Sequence, residues 1–108
     1  MKIPKTIKIG GHTVKIVYPY VFTERGDLTG QFDKPMSEIR IAKITNDVER
    51  SESEIAVTFL HEILHGVDYV TGQRVFDGPD GESKIEGISE VLFQVLRDNE
   101  LDFSHEAD

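Results

Sequence analysis

Residues 51–72 read SESEIAVTFLHEILHGVDYVTG, and this stretch decides the fold. Ser51 and Glu54 have the spacing of a capping box. The serine hydroxyl accepts from the third helical N–H, and the glutamate reaches back to the cap. Apolar residues follow at 56, 57, 60, 63, 64 and 67, which is helical spacing. Thr71-Gly72 supplies a stop. On a helical wheel, Phe59, Val70, Ile63, Ala56, Val67, Leu60, Leu64 and Val57 fill a broad arc. His61, His65, Asp68 and Glu54 fall in the gap, with Tyr69 and Glu62 at its edge. The stretch is a heavily apolar helix with two histidines one turn apart on its polar side.

On the C-terminal side, Gly78, Pro79 and Gly81 keep the chain open. Asp77-Gly78-Pro79-Asp80-Gly81 lacks the EF-hand spacing and reads as loop. From Ile85, apolar residues recur at 88, 91, 92, 95 and 96, a second amphipathic helix ending near Asn99. On the N-terminal side the period is two. Thr6-Ile7-Lys8-Ile9 and Thr13-Val14-Lys15-Ile16 alternate around Gly10-Gly11, a hairpin signal. Gly30-Gln31-Phe32 and Ser37-Glu38-Ile39-Arg40-Ile41 read as a second pair around Asp33-Lys34-Pro35. The expected fold is α+β: a small antiparallel sheet of about four short strands followed by two packed helices. Residues 1–99 form one expected domain, and residues 100–108 an acidic C-terminal tail.

Composition narrows the function. The chain has 108 residues, enough for one modest core. It has no cysteine, so no disulfide, thiolate metal ligand or cysteine nucleophile is available. No apolar run is long enough to span a bilayer. The opening MKIPKTIKIG lacks the apolar segment of a signal peptide, so a cytoplasmic location is expected. The formal charge of −8 argues against nucleic-acid binding. That charge is uneven. Residues 1–46 carry eight Lys and Arg against four Asp and Glu, and residues 47–108 carry four against sixteen. The acidic half holds both helices, and it either solvates them or collects a cation.

His61-Glu62-Ile63-Leu64-His65 matches H-E-x-x-H inside the first helix. Side chains four apart stack on one face, so both imidazoles can reach one cation. Glu62, one step round, can contact a water at that cation. A catalytic zinc takes three protein ligands and keeps one position open. The extended form with a third histidine fails, since Asp68 and Thr71 stand where Gly and His are required. Asp68 leans toward the helix N-terminus and is expected behind His65, holding its ring. The second helix offers Glu82, Glu86 and Glu90 as further carboxylates.

The stretches HEILHGVDYVTG and IEGISEVLFQVLRDN resemble small gluzincin-type zinc metallopeptidases, in particular minimal members found in phages and prophages. That resemblance implies one Zn2+ held by His61, His65 and Glu86. It gives Glu62 the role of general base, which takes a proton from the zinc-activated water and delivers it to the leaving amine. It puts Glu90 where the family carries a residue buttressing a ligand histidine. It also implies that the strand before the metal helix, Ser37–Ile41, pairs with an extended peptide substrate. A transition-state-stabilising residue is not assigned; Tyr18, Tyr20, Tyr69 and His105 are the candidates.

The expected function is therefore zinc-dependent peptide-bond hydrolysis, with a peptide or unfolded protein as substrate and neither nucleic acid nor membrane as partner. The setting implied is the cytoplasm of a bacterial or phage-infected cell. The alternative is a non-catalytic, zinc-stabilised acidic module that docks on a protein. Glu62 separates the two, because a structural site closed by four ligands has no use for a base. The tail, LDFSHEAD, carries a histidine among carboxylates. It either stays a solvated terminus or reaches the open metal position of its own or a neighbouring molecule, which gives a route to self-association.

Overall fold

The computed structural model describes residues 2–101. The chain forms an α+β fold. Strands β1 (Thr6–Ile9), β2 (His12–Val17), β3 (Gly30–Asp33) and β4 (Glu38–Ile41) come first. A short pair, β5 (Ile44–Thr45) and β6 (Val48–Glu49), follows, and then helices α1 (Glu52–Thr71) and α2 (Gly81–Asp98). No helix among the described residues is long and apolar enough to cross a membrane. Residues 102–108, and with them His105 and most of the expected tail, lie outside the described residues.

The first hairpin forms as its pattern predicts. Ile9 pairs with His12, and Gly10 takes φ +61 in the turn. A left-handed residue here would strain any side chain. The sheet as a whole departs from expectation. It is mixed rather than antiparallel, with order β1-β2-β4-β3 and with β2 parallel to β4. Burial explains the order. Ile39 and Ile41 of β4 are both 0% exposed, so β4 needs neighbours on both sides. β3 carries Gln31 and Asp33 and tolerates the edge. The long connection over residues 18–29 carries the chain past β4 to reach that edge. The Ser37–Ile41 segment, expected to meet substrate, is consequently internal, hydrogen-bonded to β2 and β3. The β5–β6 pair, outside the four expected strands, turns at Asn46 and Asp47, both with positive φ.

α1 lies between two layers. The sheet covers one side with Ile9, Val14, Ile16, Ile39 and Ile41 against Ile55 and Phe59. α2 covers the other, with Phe93 against Ala56, Val57 and Leu60. Every residue from Ile55 to Glu62 is buried, which accounts for the wide apolar arc of this helix. The capping box forms: Ser51 Oγ accepts from Glu54 N–H at 3.2 Å, and Glu54 Oε1 accepts from Ser51 N–H at 3.1 Å. Gly72 closes the helix in the left-handed conformation, φ +69. α2 begins at Gly81, a full turn before the first apolar residue of its pattern. Gly81 is required there, since a Cβ would fall 1.7 Å from the Phe76 carbonyl oxygen.

Arg50 ties sheet to helix. Its guanidinium donates to Ala42 O at 2.8 Å, to Thr29 O at 3.4 Å and to Glu54 O at 3.2 Å. It also donates to Thr58 Oγ1. Thr29 precedes β3, Ala42 follows β4, and Thr58 is one turn before Glu62, so one side chain sets the distance between the edge strand and α1. Arg50→Met should remove all four of these bonds, leave Ala42 O without the guanidinium donor and reduce stability by about 2–3 kcal/mol. Urea unfolding would show this as a lower midpoint at unchanged slope. An unchanged midpoint would mean that the guanidinium does not hold the layers together.

Candidate metal centre

The burial of α1 fixes the rotamers of the two side chains that carry the motif. His61 is 8% exposed and Glu62 6%. His65, one turn on, opens toward solvent. The His61 and His65 Nε2 atoms stand 3.2 Å apart. α2 packs with its first two turns over them. Glu82 brings Oε1 to 3.0 Å from His65 Nε2 and Oε2 to 3.1 Å from His61 Nε2. His61, His65 and Glu82 each offer one ligand atom within 4.8 Å of the others.

Glu86 meets His61 at its other nitrogen. Glu86 Oε1 lies 2.7 Å from Nδ1. An ionised carboxylate only accepts, so Nδ1 carries the hydrogen and His61 Nε2 is left with a bare lone pair. That lone pair faces the Glu82 carboxylate. Two acceptors in contact repel unless a proton or a cation stands between them.

The donor set fits zinc. With Zn–N and Zn–O near 2.0–2.1 Å, the edge of a coordination tetrahedron is about 3.3 Å. The three separations among His61 Nε2, His65 Nε2 and the Glu82 oxygens, 3.0 to 3.2 Å, lie close to it. Imidazole nitrogen and carboxylate oxygen are both ordinary zinc ligands.

Glu62 points into the same cleft but contacts β3 rather than the histidines. Gly30 makes this possible: a Cβ there would come 3.0 Å from Glu62 Oε2 and 2.7 Å from Thr58 Cγ2. Burial, and then the negative charges of Glu82 and Glu86, push the Glu62 carboxyl up to about 8. Without a cation it is protonated at neutral pH. A dication nearby favours the ionised form instead.

The remaining expected residues fall as follows. Asp68 turns both carboxylate oxygens to the loop after α1, accepting from Val75 N–H at 2.8 Å and Phe76 N–H at 3.1 Å. Burial pushes its carboxyl up. The Val75 and Phe76 N–H groups, nearby His65 and the Arg74 backbone outweigh this and hold it below the ordinary aspartate value. Asp68 thus positions the loop that leads into α2. Glu90 is exposed, and its side chain makes no hydrogen bond or ion pair among the described residues. Of the tyrosines, Tyr69 lines the cleft. Tyr18 packs against the core, and Tyr20 stacks edge-on against Phe22 at 4.8 Å.

The cleft has a volume of about 810 Å3. Its walls are β3 with the loop before it, the C-terminal half of α1, and the start of α2. Gly30, Thr58 and Arg50 escape sequence reasoning, because a glycine in a strand and an arginine before a cap have many ordinary uses. Comparison of the chain with protein-family models, with curated proteins and with solved structures gave no match.

Proposed function

We propose that this protein is a zinc-dependent metallopeptidase resembling the minimal gluzincins. The observation that carries the reading is the convergence of two Nε2 atoms and a carboxylate beside a buried glutamate, in a cleft walled by an edge strand. His61 and His65 hold the ion, with Glu82 as the third ligand. Glu86 orients His61 through Nδ1, the usual arrangement behind a ligating histidine. Bound zinc would supply Lewis acidity, lowering the pKa of a water toward 7 and polarising a carbonyl.

The chain's own groups do the rest. Glu62 takes the proton from the attacking water as its oxygen bonds to the carbonyl carbon, and gives it to the nitrogen as the C–N bond breaks. β3 offers the substrate its backbone. Ala42 N–H donates to Thr29 O, so in this antiparallel register residues 29, 31 and 33 face β4. Gly30 and Phe32 therefore direct N–H and C=O to the free edge, where an extended peptide adds as a strand. A bacterial or phage-infected cell as the setting follows from the resemblance alone.

The resemblance gives a second ligand assignment. It puts Glu86 in the third-ligand place, and Glu86 lies 2.7 Å from His61, so a change of its rotamer or of the His61 ring would bring it to the ion. Zinc titration with a competing chelator separates the two. With Glu82 as ligand, Glu82→Ala should weaken zinc more than about 100-fold and Glu86→Ala by about 10- to 100-fold. The reverse order would assign Glu86. If both carboxylates bind at once, the site is closed by four protein ligands, which favours the docking module over the enzyme. A zinc-binding hydroxamate tests this: the enzyme should bind it at the open position, and the closed module should not.

A further inference from the structure

We infer that the end of the cleft away from the histidines is a subsite for an acidic side chain of an extended peptide, with Lys34 as the residue that selects it. The inference rests on the peptidase reading and adds the class of substrate. β3 runs outward from the metal centre along α1. Gly30 lies against Glu62, and the Phe32 ring lies against Gly66, where a Cβ would come within 3.2 Å of it. Phe32 then meets Tyr69, ring centroids 6.2 Å apart. Lys34, just past the strand, places its ammonium 4.8 Å from the centre of the Tyr69 ring. Two aromatic faces thus form a wall that ends in a positive charge.

That charge stands out in its surroundings. The cleft is lined by two Lys and Arg side chains, Lys34 and Arg74. Arg74 is paired with Asp77. Lys34 has no carboxylate partner among the described residues; its contact is the tyrosine face. At the other end, zinc would offset the charges of Glu82 and Glu86. A ligand lying along the cleft therefore meets an unpaired cation at one place, beside Tyr69.

Spacing gives the register. Tyr69 is about 10 Å further along α1 than Glu62 at 1.5 Å per residue. An extended peptide on β3 advances about 3.3 Å per residue, so Lys34 faces a side chain about three residues from the bond held beside Glu62.

The test is binding rather than turnover. Zinc-loaded full-length Glu62→Gln protein is titrated with labelled peptides that differ only in the position of one Glu in a neutral extended sequence, read by fluorescence anisotropy. One register, about three residues from the bond that wild type cleaves in the parent peptide, should bind about fivefold more tightly than the neutral parent at low salt. The gain should shrink with added salt. It should vanish in Lys34→Met, which keeps its zinc, and Lys34→Glu should prefer a Lys at the same register. Peptides that all bind equally well would overturn the subsite and leave the peptidase reading standing. No binding of any peptide by the zinc-loaded protein, with no cleavage by wild type, would overturn both.

Discussion

Glu62→Gln should abolish hydrolysis and keep the zinc. General-base catalysis contributes roughly 10²- to 10⁴-fold, and a glutamine cannot take the proton, so kcat should fall about 1000-fold with KM nearly unchanged. The fold should survive. Glutamine has the shape of a protonated glutamate, and the metal-free carboxyl is already held in that form by burial and by Glu82 and Glu86. The amide also fits against Gly30 as the acid does, since no atom is added. Zinc stoichiometry should stay at one, because Glu62 is not among the residues whose ligand atoms converge. The informative comparison is Gly30→Ala. It leaves the ligands alone but pushes a methyl to 3.0 Å from the Glu62 oxygen. Cleavage by Glu62→Gln at the wild-type rate would end the metallopeptidase reading whatever the metal content.

The motif helix was legible because three independent signals coincide on it. A capping box starts it, an apolar arc of helical period fills it, and a glycine ends it; all three appear in the structure. The four main strands were legible for a similar reason, as period two changes to period 3.6 near Ser51. Their order was not. Two hairpins can be joined in several ways, and the choice depends on which strand has two apolar residues to bury, a comparison between β3 and β4 that no local pattern contains. The place of Glu82 was obscured by a helix boundary. Residues 81–84 are Gly, Glu, Ser and Lys, polar and weakly helical, so the apolar pattern starts α2 at Ile85. The close approach of Gly81 to Phe76 starts it at 81 and sets Glu82 over both histidines. Arg50 was invisible because most of its partners are backbone carbonyls, one of them, Thr29, 21 residues away, and no side-chain pattern marks them.

Zinc should also stabilise the protein strongly, and the fold explains why. Among the described residues α2 packs on α1 alone; it buries Ile85, Ser89 and Phe93, and Phe93, with Leu92 and Leu96, joins the cluster near the N-terminal half of α1. At the opposite end of the helix pair, beside the buried Ile85, Glu82 and Glu86 contact the histidines. Both glutamates are largely exposed, and such pairs add little in water. A zinc ion held there would add a link between α1 and α2 that the unfolded chain lacks. At 100 times the dissociation constant, mass action gives about 2.7 kcal/mol. For a domain of this size that raises Tm by about 10–20 °C. Chelation should therefore lower the melting temperature by that amount, and hydrogen exchange should quicken first in the α1–α2 loop and the opening turns of α2. The sheet and its contact with α1 should hold, since that cluster has no need of the metal. His61→Ala should melt at the chelated temperature and be indifferent to zinc. A melting temperature untouched by chelator, in protein that elemental analysis shows to have carried one zinc per chain, would mean that the ion does not join the helices, and the ligand set drawn from α2 would fail with it.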